Sequence, residues 1–414
     1  MARFDLTSSK IEPKHLFAAQ TVMGKLEQQG FQAYIVGGFV RDFILQHRSK
    51  DIDIATDARP DQVISLFNRT APTGLQHGTV TVIIDEIPIE VTTFRVEKDY
   101  NDHRHPSVVQ FVNSLEADLS RRDFTINAMA ISIDGELYDP FGGEDDLRRG
   151  LIRAVGDAEQ RFLEDALRMI RAIRFATKLK FNIDSSTERA LLNHRSLCQH
   201  LSIERIVAEL EKIWDSEYSS SGIQRFVNYH LWKRLPVFSC WNWIEPTVHQ
   251  YQMFDLNGDR ITKWLFLFLL GNQSDIIISC QNLHFSNQDT NECLQAFVCY
   301  QLGVENLDEE SIIRMLLKYG FQTVKRAFYL IQFMQCSSTT SMERLEHLWN
   351  RLIIHHLKEL TINGNDLLSI TYRSPGPWIA KTLEELLFLV ASGKLPNHRQ
   401  NLLEEGRRIV KTFT

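Results

Sequence analysis

The stretch FQAYIVGGFVRDFILQHRSKDIDIA, residues 31 to 55, decides the fold of the N-terminal part of the chain. Its pattern predicts a short apolar strand (AYIV), a diglycine turn, a helix entered through VRD, and a second strand (DIDIA). We expect the rest of the chain to be organised around these pieces.

Two carboxylates alternate with isoleucines in the second of these strands. Because successive side chains of a strand point to opposite faces, Asp51 and Asp53 should share one face while Ile52 and Ile54 enter the core. Two neighbouring carboxylates repel each other and usually need a cation, and Mg²⁺ is the one that carboxylates most often share with substrate phosphates. The pair predicts a catalytic magnesium platform, although a DxD alone also fits a solvated strand end.

The diglycine turn, Gly37 and Gly38, is the other half of this pattern. Backbone without Cβ can approach a phosphate closely, and N–H groups exposed at a helix start favour anions. Strand, glycine turn, helix and DxD strand together suggest a metal-dependent nucleotidyltransferase.

Length and charge limit the classes of protein that remain. The chain has 414 residues, enough for two to four domains, with 46 basic against 52 acidic side chains. Since the net charge is −6, a polyanionic partner must be bound by local basic patches. The six cysteines form no CxxC pair, which argues against a zinc site or a disulfide framework. The N-terminus lacks an apolar signal region and the longest apolar segment is too short to span a bilayer, so we expect a soluble cytoplasmic protein without a membrane partner.

Periodicity changes along the chain. Helices are predicted at 13–29 and from about Pro60 to Phe67, strands at 79–85 and 89–96, and a long polar loop at 97–116. From about residue 147 strands disappear, and amphipathic helices follow to residue 412. Loops are marked by SEYSSSG (216–222), CSSTTS (336–341) and SPGPW (374–378). The expected fold class is α+β, with a mixed α/β head and an all-helical remainder.

Two arginine clusters are further candidate sites. Arg121, Arg122 and Asp123, followed by Asn127, could be a surface ion-pair cluster, but they also suit a nucleotide, since arginine binds phosphate and an aspartate can accept a ribose hydroxyl.

The second cluster is a predicted helix with arginines at constant spacing. Seven arginines lie between positions 148 and 174, against four acidic residues. Such spacing fits i,i+3 salt bridges on a solvated face or an anionic ligand. The residues of this cluster are Glu164, Asp165, Arg168, Arg171 and Arg174.

Six motifs, in this order, resemble the superfamily of class II tRNA nucleotidyltransferases and bacterial poly(A) polymerases: VGGFVRD, DIDIA, RRDFTINAMA, DPFGG, EDALRMIRAIRF and SIERIVAELEKI. The resemblance is dense over residues 31 to 215. In the remainder, INGNDLL and PGPW resemble the tail of CCA-adding enzymes from Bacillus-like bacteria. The resemblance implies a polymerase-beta-like nucleotidyltransferase head (1–146), a helical neck that recognises the base (147–206), a helical body (207–300) and a helical tail that binds tRNA (301–414).

The resemblance also implies a role for each candidate residue. Gly38 and Arg41 would bind the triphosphate, while Asp51 and Asp53 would hold Mg²⁺, with Glu90 as a candidate third carboxylate. Arg122 and Asp123 would contact the sugar and phosphates. Asp165 and Arg168 would read the base, and Arg171 and Arg174 would complete the base pocket.

Base reading by an aspartate and an arginine has a physical basis. Cytosine and adenine both place an amino donor beside a ring-nitrogen acceptor, and guanine and uracil show the reverse. A carboxylate only accepts and a guanidinium only donates, so Asp165 with Arg168 fits C and A and leaves G or U with opposed groups.

The resemblance implies template-independent addition of CCA to tRNA from CTP and ATP, with contacts to the tRNA 3′ end and elbow, by a monomer or homodimer. Alternatives within the superfamily are a CC-adding or A-adding enzyme and a poly(A) polymerase. The loop at 97–116 looks complete, which favours A addition, and the absence of a long basic C-terminal extension favours tRNA. An RNA-binding protein with a silent head is the alternative outside the enzymes; intact Asp51 and Asp53 argue against it.

Overall fold

The computed structural model describes residues 3–49, 51–100, 106–256, 258–303, 307–335, 342–371 and 373–412. The chain divides into two compact units, Met1–Cys240 and Trp241–Thr414. Each unit has its own apolar core.

The first unit contains the β-structure and ten of the helices found in the described residues. Its strands are β1 (Ala33–Val36), β2 (Asp53–Thr56), β3 (Thr70–Gly74), β4 (Thr79–Ile84), β5 (Ile87–Thr93), β6 (Arg95–Tyr100), β7 (Pro106–Phe111), β8 (Ala130–Ile131), β9 (Leu137–Tyr138), β10 (Leu151–Ile152) and β11 (Asn182–Ile183). Its helices are α1 (Pro13–Gln28), α2 (Gly38–Ile44), α3 (Pro60–Leu66), α4 (Leu115–Ser120), α5 (Gly143–Arg149), α6 (Ala158–Glu164), α7 (Leu167–Leu179), α8 (Ser185–His194), α9 (Ile203–Trp214) and α10 (Ser219–Asn228).

Within the described residues, seven strands form one sheet in the order β3-β4-β5-β2-β1-β8-β9. β2 and β5 are parallel, and the other neighbours are antiparallel. The register places Val36 of β1 beside Asp53 of β2, and Asp53 beside Glu90 of β5. Because residues that lie side by side in a sheet point to the same face, Asp53 and Glu90 project together.

One face of the sheet is covered by α1. Val22, Met23 and Leu26 of this helix are completely buried, and the helix contacts β1, β2, β4 and β5. Pro13 occupies the first turn, where its missing N–H costs nothing. The predicted helix at 13–29 is confirmed.

The helical part of the first unit is organised around α7. This helix packs against α9 and α10. Gly222 of α10 permits the close approach, since a Cβ there would lie 2.7 Å from Ile213 Cγ2 and 2.8 Å from Thr177 Oγ1. Ile170, Ile173 and Ala176 of α7 are completely buried.

Among the described residues of the second unit, the regular elements are all helices. Its helices are α11 (Val248–Met253), α12 (Arg260–Leu270), α13 (Ile276–Asn282), α14 (Asn287–Gln301), α15 (Glu309–Tyr319), α16 (Phe321–Met334), α17 (Met342–Arg351), α18 (Gly364–Ile370), α19 (Trp378–Ala391) and α20 (Arg399–Lys411). Phe266 of α12 stacks on Phe333 of α16 with ring centroids 4.3 Å apart. A further apolar cluster includes Leu367, Leu386 and Leu402. α12 contains most of the most apolar segment of the sequence, TKWLFLFLLGN (262–272), and nearly all of its residues are buried, so this segment forms a core helix.

The α+β fold class is confirmed, with a sheet-containing head followed by a mostly helical remainder. In the described part of the chain, none of the helices has the length and apolar character needed to cross a bilayer. The predicted loop at 374–378 is confirmed up to Pro377, since α19 begins at Trp378.

Several sequence predictions about local structure were wrong. The polar loop expected at 97–116 contains β6 and β7, which pair antiparallel with Arg95 beside Phe111, and α4 begins at Leu115. The segment contains β-branched and aromatic residues, which favour strands, but the prediction of a loop rested on its polar and charged residues alone. Residues 101–105 of this segment lie outside the described residues.

Two further differences concern the helical region. The loop expected at 216–222 ends early, because α10 begins at Ser219. Strands do not disappear after residue 147, since the short β10 and β11 pair in parallel. The loop expected at 336–341 lies outside the described residues.

Candidate active site

The turn after β1 brings two predicted site residues together. Gly37 has φ 73° and ψ −135°, a conformation that side chains with Cβ rarely adopt. A Cβ at this position would lie 3.4 Å from Arg122 Nη1 and 3.5 Å from Asp53 Oδ2. The glycine therefore leaves room for a guanidinium and a carboxylate at the end of β1.

Asp53 is in an electrostatically unfavourable position. Burial and the neighbouring carboxylates of Glu90 and Asp51 raise its pKa to about 6, although Arg122 acts in the opposite direction. Asp51 is exposed, and Ile52 and Ile54 are buried as expected. The predicted strand boundary was wrong, since β2 begins at Asp53.

These carboxylates fit a magnesium ion. Excess negative charge at a partly buried carboxylate is what a divalent cation would neutralise, and carboxylate oxygens are the ligands that Mg²⁺ prefers. No group of three or more His, Cys, Asp or Glu side chains that could hold a metal occurs among the described residues. Mg²⁺ is commonly held by one or two carboxylates, with waters and substrate phosphates as the other ligands, so Asp51 and Asp53 remain suitable.

Arg41 is held rigidly beside the same turn. It lies on α2 and is 5% exposed. Its Nε donates to Asp42 Oδ1 and its Nη1 to Asn127 Oδ1, both at 2.8 Å. A Cβ at Gly38 would lie 3.6 Å from Arg41 Nη2, so this nitrogen borders the glycine turn.

The two arginines of the RRD motif share one acidic partner. Arg121 Nη2 donates to Asp118 Oδ1 at 2.8 Å, and Arg122 Nη2 to Asp118 Oδ2 at 3.2 Å. The pKa of Asp118 is lowered, because the two arginines outweigh the effect of burial. Arg122 Nε is buried and has no hydrogen-bond partner. Arg122 therefore keeps one unsatisfied donor, and its Nη1 borders the Gly37 turn together with Asp53.

Asp123 is saturated by hydrogen bonds within the protein. Its Oδ1 accepts from the Phe124 N–H at 2.8 Å and from Asn127 Nδ2 at 3.1 Å. Its Oδ2 accepts from Nε and Nη2 of Arg171 at 2.8 and 2.6 Å. Burial opposes ionisation, but Arg171 and Asn127 outweigh it and lower the pKa to about 2. All four acceptor positions of the carboxylate are in use, so a ribose hydroxyl would have to displace one bond.

Three guanidinium groups surround the ring of Phe175. The guanidinium carbons of Arg174, Arg41 and Arg171 lie 4.0, 5.2 and 5.4 Å from the ring centroid. Glu209 of α9 supplies negative charge, with its Oε2 2.6 Å from Arg174 Nε and its Oε1 3.8 Å from Arg171 Nη1. Arg171 and Arg174 are thereby engaged with protein groups.

The predicted single helix through residues 164 to 174 is interrupted. α6 ends at Glu164, Asp165 has extended φ and ψ (−141° and 104°), and α7 begins at Leu167. The Leu167 N–H donates to Asp165 Oδ1 at 3.1 Å. This side-chain bond competes with helix continuation, which is why the helical prediction was wrong at this residue.

Asp165 and Arg168 lie close together but bind different side chains. The Arg168 N–H donates to the Asp165 carbonyl at 3.0 Å. The Arg168 guanidinium instead pairs with Glu164 at 2.6 Å, and Asp165 Oδ2 accepts from Arg205 Nη2 of α9 at 2.8 Å. The sequence interpretation did not include Arg205.

Sequence reasoning missed residues that hold the predicted ones in place. Glu209 had a signal, because it lies three residues after the buried Ile206 on the apolar face of α9, where a carboxylate needs a partner. Arg205 is in the motif SIERIVAELEKI, but nothing in its spacing points to Asp165. The other missed residues are Asp118 and Phe175.

Comparisons with known proteins agree with this arrangement. The family model described as "Poly A polymerase head domain" matches residues 33–153. The model "tRNA nucleotidyltransferase domain 2" matches residues 257–405. The sheet, its paired carboxylates and these matches define a nucleotidyltransferase.

Individual relatives identify the family. A CCA-adding enzyme of Bacillus mycoides is 37% identical over 391 residues, which cover 93% of this chain and 96% of that protein. The crystal structure of the Bacillus stearothermophilus CCA-adding enzyme in complex with CTP has a TM-score of 0.79 and 30% identity, covering 97% of this chain and 98% of that one. The Thermotoga maritima CCA-adding enzyme complexed with tRNA shares the fold, with a TM-score of 0.69, 22% identity and full coverage of both chains. The chain belongs to the CCA-adding enzyme family and is a tRNA nucleotidyltransferase.

Proposed function

We propose that this protein adds the 3′-terminal CCA to tRNA from CTP and ATP, without a nucleic-acid template, and releases pyrophosphate. The observation that carries the proposal is the convergence of Asp53, Glu90 and Arg122 at the Gly37 turn, in a chain that matches CCA-adding enzymes over nearly its whole length.

The reaction requires a ribose 3′-hydroxyl of the RNA to attack the α-phosphorus of the bound nucleotide. Asp51 and Asp53 would hold Mg²⁺, which when bound would lower the pKa of the hydroxyl and offset charge on the phosphates. Arg122 borders the Gly37 turn together with Asp53, and a phosphate oxygen is a suitable acceptor for its guanidinium. Arg41 and the backbone at Gly38 would contact the remaining phosphates.

Asp165 and Arg168 would read the base. Each oxygen of Asp165 accepts one hydrogen bond from the protein and keeps a second acceptor position. Arg168 Nη1 donates hydrogen bonds to the Arg161 carbonyl and to Glu164, and its Nη2 donates one to the Arg121 carbonyl. The rest of its N–H donors are available to a base. Cytosine and adenine offer an amino donor to Asp165 and a ring-nitrogen acceptor to Arg168. Uracil and guanine would place an acceptor against Asp165 and a donor against Arg168.

Arg171 and Arg174 were expected to complete the base pocket. Their contacts with Asp123, Glu209 and Phe175 support a modified role, in which they orient α7 so that Arg168 faces the nucleotide. Asp123 would act through the same network, and its contact with a ribose hydroxyl would follow an exchange of one of its bonds.

We infer that the helical tail expected at 301–414, which lies in the second unit, binds tRNA. Binding of this kind depends on phosphate contacts, so tRNA affinity should fall as salt increases. The division into head, neck, body and tail, the cytoplasmic location and the monomeric or dimeric state are expectations that accompany this function.

The test is an incorporation assay with the full-length protein. A tRNA transcript lacking CCA is incubated with Mg²⁺ and labelled CTP, ATP or both, and the products are resolved to single nucleotides. CCA addition requires two C additions with CTP alone and one further A when ATP is added. Products that stop at CC when CTP and ATP are both supplied would identify a CC-adding enzyme. Addition of A only to transcripts that already end in CC would identify an A-adding enzyme. Long A tracts would identify a poly(A) polymerase. No incorporation with retained tRNA binding would identify an RNA-binding protein with a silent head.

A further inference from the structure

Arg205 of α9 is joined to the proposed base-reading carboxylate. Its Nη2 donates to Asp165 Oδ2 at 2.8 Å, although the two residues are 40 positions apart. Its Nη1 is buried and has no hydrogen-bond partner. The pair is partly buried, with side-chain exposures of 25% for Arg205 and 18% for Asp165. An ion pair with limited solvent access restricts both side chains more than a pair on an open surface does.

Asp165 lies between α6 and α7 in an extended conformation. Its N–H donates to the Arg161 carbonyl at 3.3 Å and its own carbonyl accepts from the Arg168 N–H at 3.0 Å. These bonds fix the backbone, whereas the direction of the carboxylate depends on the groups that bind its two oxygens. The Leu167 N–H holds one oxygen, and Arg205 holds the other. Together these two bonds set the plane of the carboxylate, and that plane decides where a base amino group can donate.

α9 is fixed relative to α7 by a second contact on the same side. Arg205 and Glu209 are four residues apart on α9, so they are neighbours on one face. Glu209 lies against Arg174 of α7, and α7 packs against α9. The helix that presents Arg205 is therefore anchored to the helix that carries Arg168.

We propose that Arg205 is a positioning residue for nucleotide selection, which acts by orienting the Asp165 carboxylate toward the amino group of cytosine or adenine. The inference rests on the proposed base reading by Asp165. Without Arg205, the carboxylate can rotate away from the base, and the site then loses part of its preference for CTP over UTP. Chemistry at Asp53 does not involve Arg205, so the turnover number for CTP should change less than its KM.

The experiment compares full-length wild type with R205A, R205K, D165A and the double variant R205A/D165A. Initial rates are measured on a tRNA transcript lacking CCA, with CTP and with UTP separately, and the selectivity is the ratio of the two kcat/KM values. R205A should lower this ratio by about ten- to a hundredfold, mainly through KM for CTP. R205K should restore part of the ratio, because an ammonium can still bind one carboxylate oxygen.

A matched control is R153A, which removes another arginine–aspartate pair of the first unit, Arg153 with Asp146 at 2.9 Å. It should leave the ratio unchanged. The double variant should have the ratio of D165A alone, since Arg205 acts through Asp165. Thermal unfolding is measured for every variant, and R205K serves as the test if R205A does not fold.

The outcomes separate two failures. If D165A keeps the wild-type ratio, base reading by Asp165 is wrong, and the role of Arg205 falls with it. If D165A lowers the ratio but R205A and R205K do not, only the role of Arg205 is overturned. The role is also overturned if R205A lowers kcat/KM equally for CTP and UTP, or lowers the ratio further in the D165A background.

Discussion

Asp123 Oδ2 receives two hydrogen bonds from Arg171, from Nε at 2.8 Å and from Nη2 at 2.6 Å, across 48 positions of sequence. Asp123 follows α4 in the sheet-containing part of the first unit, and Arg171 lies on α7 in its helical part. Through Asn127 the same carboxylate is linked to Arg41 on α2. This network joins Arg41, a proposed phosphate-binding residue, to α7, the helix that carries Arg168.

Asp123→Asn should destabilise the protein in a pH-dependent way. The folded-state pKa of about 2 lies below the ordinary value, which is about 3.9 in an unfolded chain. A lowered pKa means that the stabilisation is fully present above about pH 4 to 5 and is lost as the pH falls toward 2. We expect a loss of about 2 to 4 kcal/mol at pH 7, measured by urea unfolding, with a smaller difference from wild type at pH 3.5.

Asp145→Asn is the matched control for this experiment. Asp145 pairs with Arg149 on the exposed side of α5, so its replacement should cost less than about 1 kcal/mol. A loss in Asp123→Asn that is the same at pH 7 and pH 3.5 would contradict the ionised pair as its cause.

Gly37→Ala should impair nucleotide incorporation more than it impairs folding. The positive φ of 73° would cost the alanine about 1 to 3 kcal/mol, and its methyl group would contact Arg122 and Asp53. We expect at least a tenfold loss of kcat/KM for CTP, roughly what a displaced catalytic group costs. Gly24→Ala is the control, since a Cβ there meets only Ile133, at 3.8 Å, in a helix interior. Equal effects of the two substitutions on incorporation would exclude a role for the turn.

Asp51→Asn and Asp53→Asn should each abolish most incorporation while tRNA binding stays near the wild-type level. The expected loss is at least about a hundredfold in kcat, because the substitutions remove charge that would stabilise the transition state. Incorporation of labelled CTP and binding of labelled tRNA are measured side by side. Asp57→Asn is the control, since Asp57 follows β2 and binds the Gln32 N–H. A parallel loss of tRNA binding and incorporation would refute the catalytic assignment.

Glu90→Gln tests the third carboxylate. Glu90 lies beside Asp53 in the sheet register, and its charge contributes to the raised pKa of Asp53. A glutamine keeps the shape and removes the charge, so we expect about a tenfold or greater loss of incorporation at pH 7.5. Glu86→Gln, in the exposed turn between β4 and β5, should have no effect on incorporation. Wild-type activity in Glu90→Gln would restrict the metal platform to Asp51 and Asp53.

The sequence alone determined the features that depend on local pattern. Alternation placed Ile52 and Ile54 in the core, the glycine pair marked the turn, and periodicity separated the sheet-containing head from the helical remainder. Motif order identified the superfamily. These features could be predicted because neighbouring residues define strand faces, turns and helix faces.

Tertiary structure decided which side chains meet. Asp165 was expected to share a helix with Arg168, but the chain leaves the helix at Asp165 and its carboxylate binds Arg205. Asp123 was expected to face a ribose, but its acceptor positions are filled by Arg171, Asn127 and Phe124. Such partners lie tens of residues apart, and their pairing follows from how α7 and α9 pack. The GGFVRD turn and the DIDIA strand therefore indicate nucleotidyl transfer from the sequence alone. The contacts that hold the proposed base-reading residues exist only in the folded chain, because helix packing sets them.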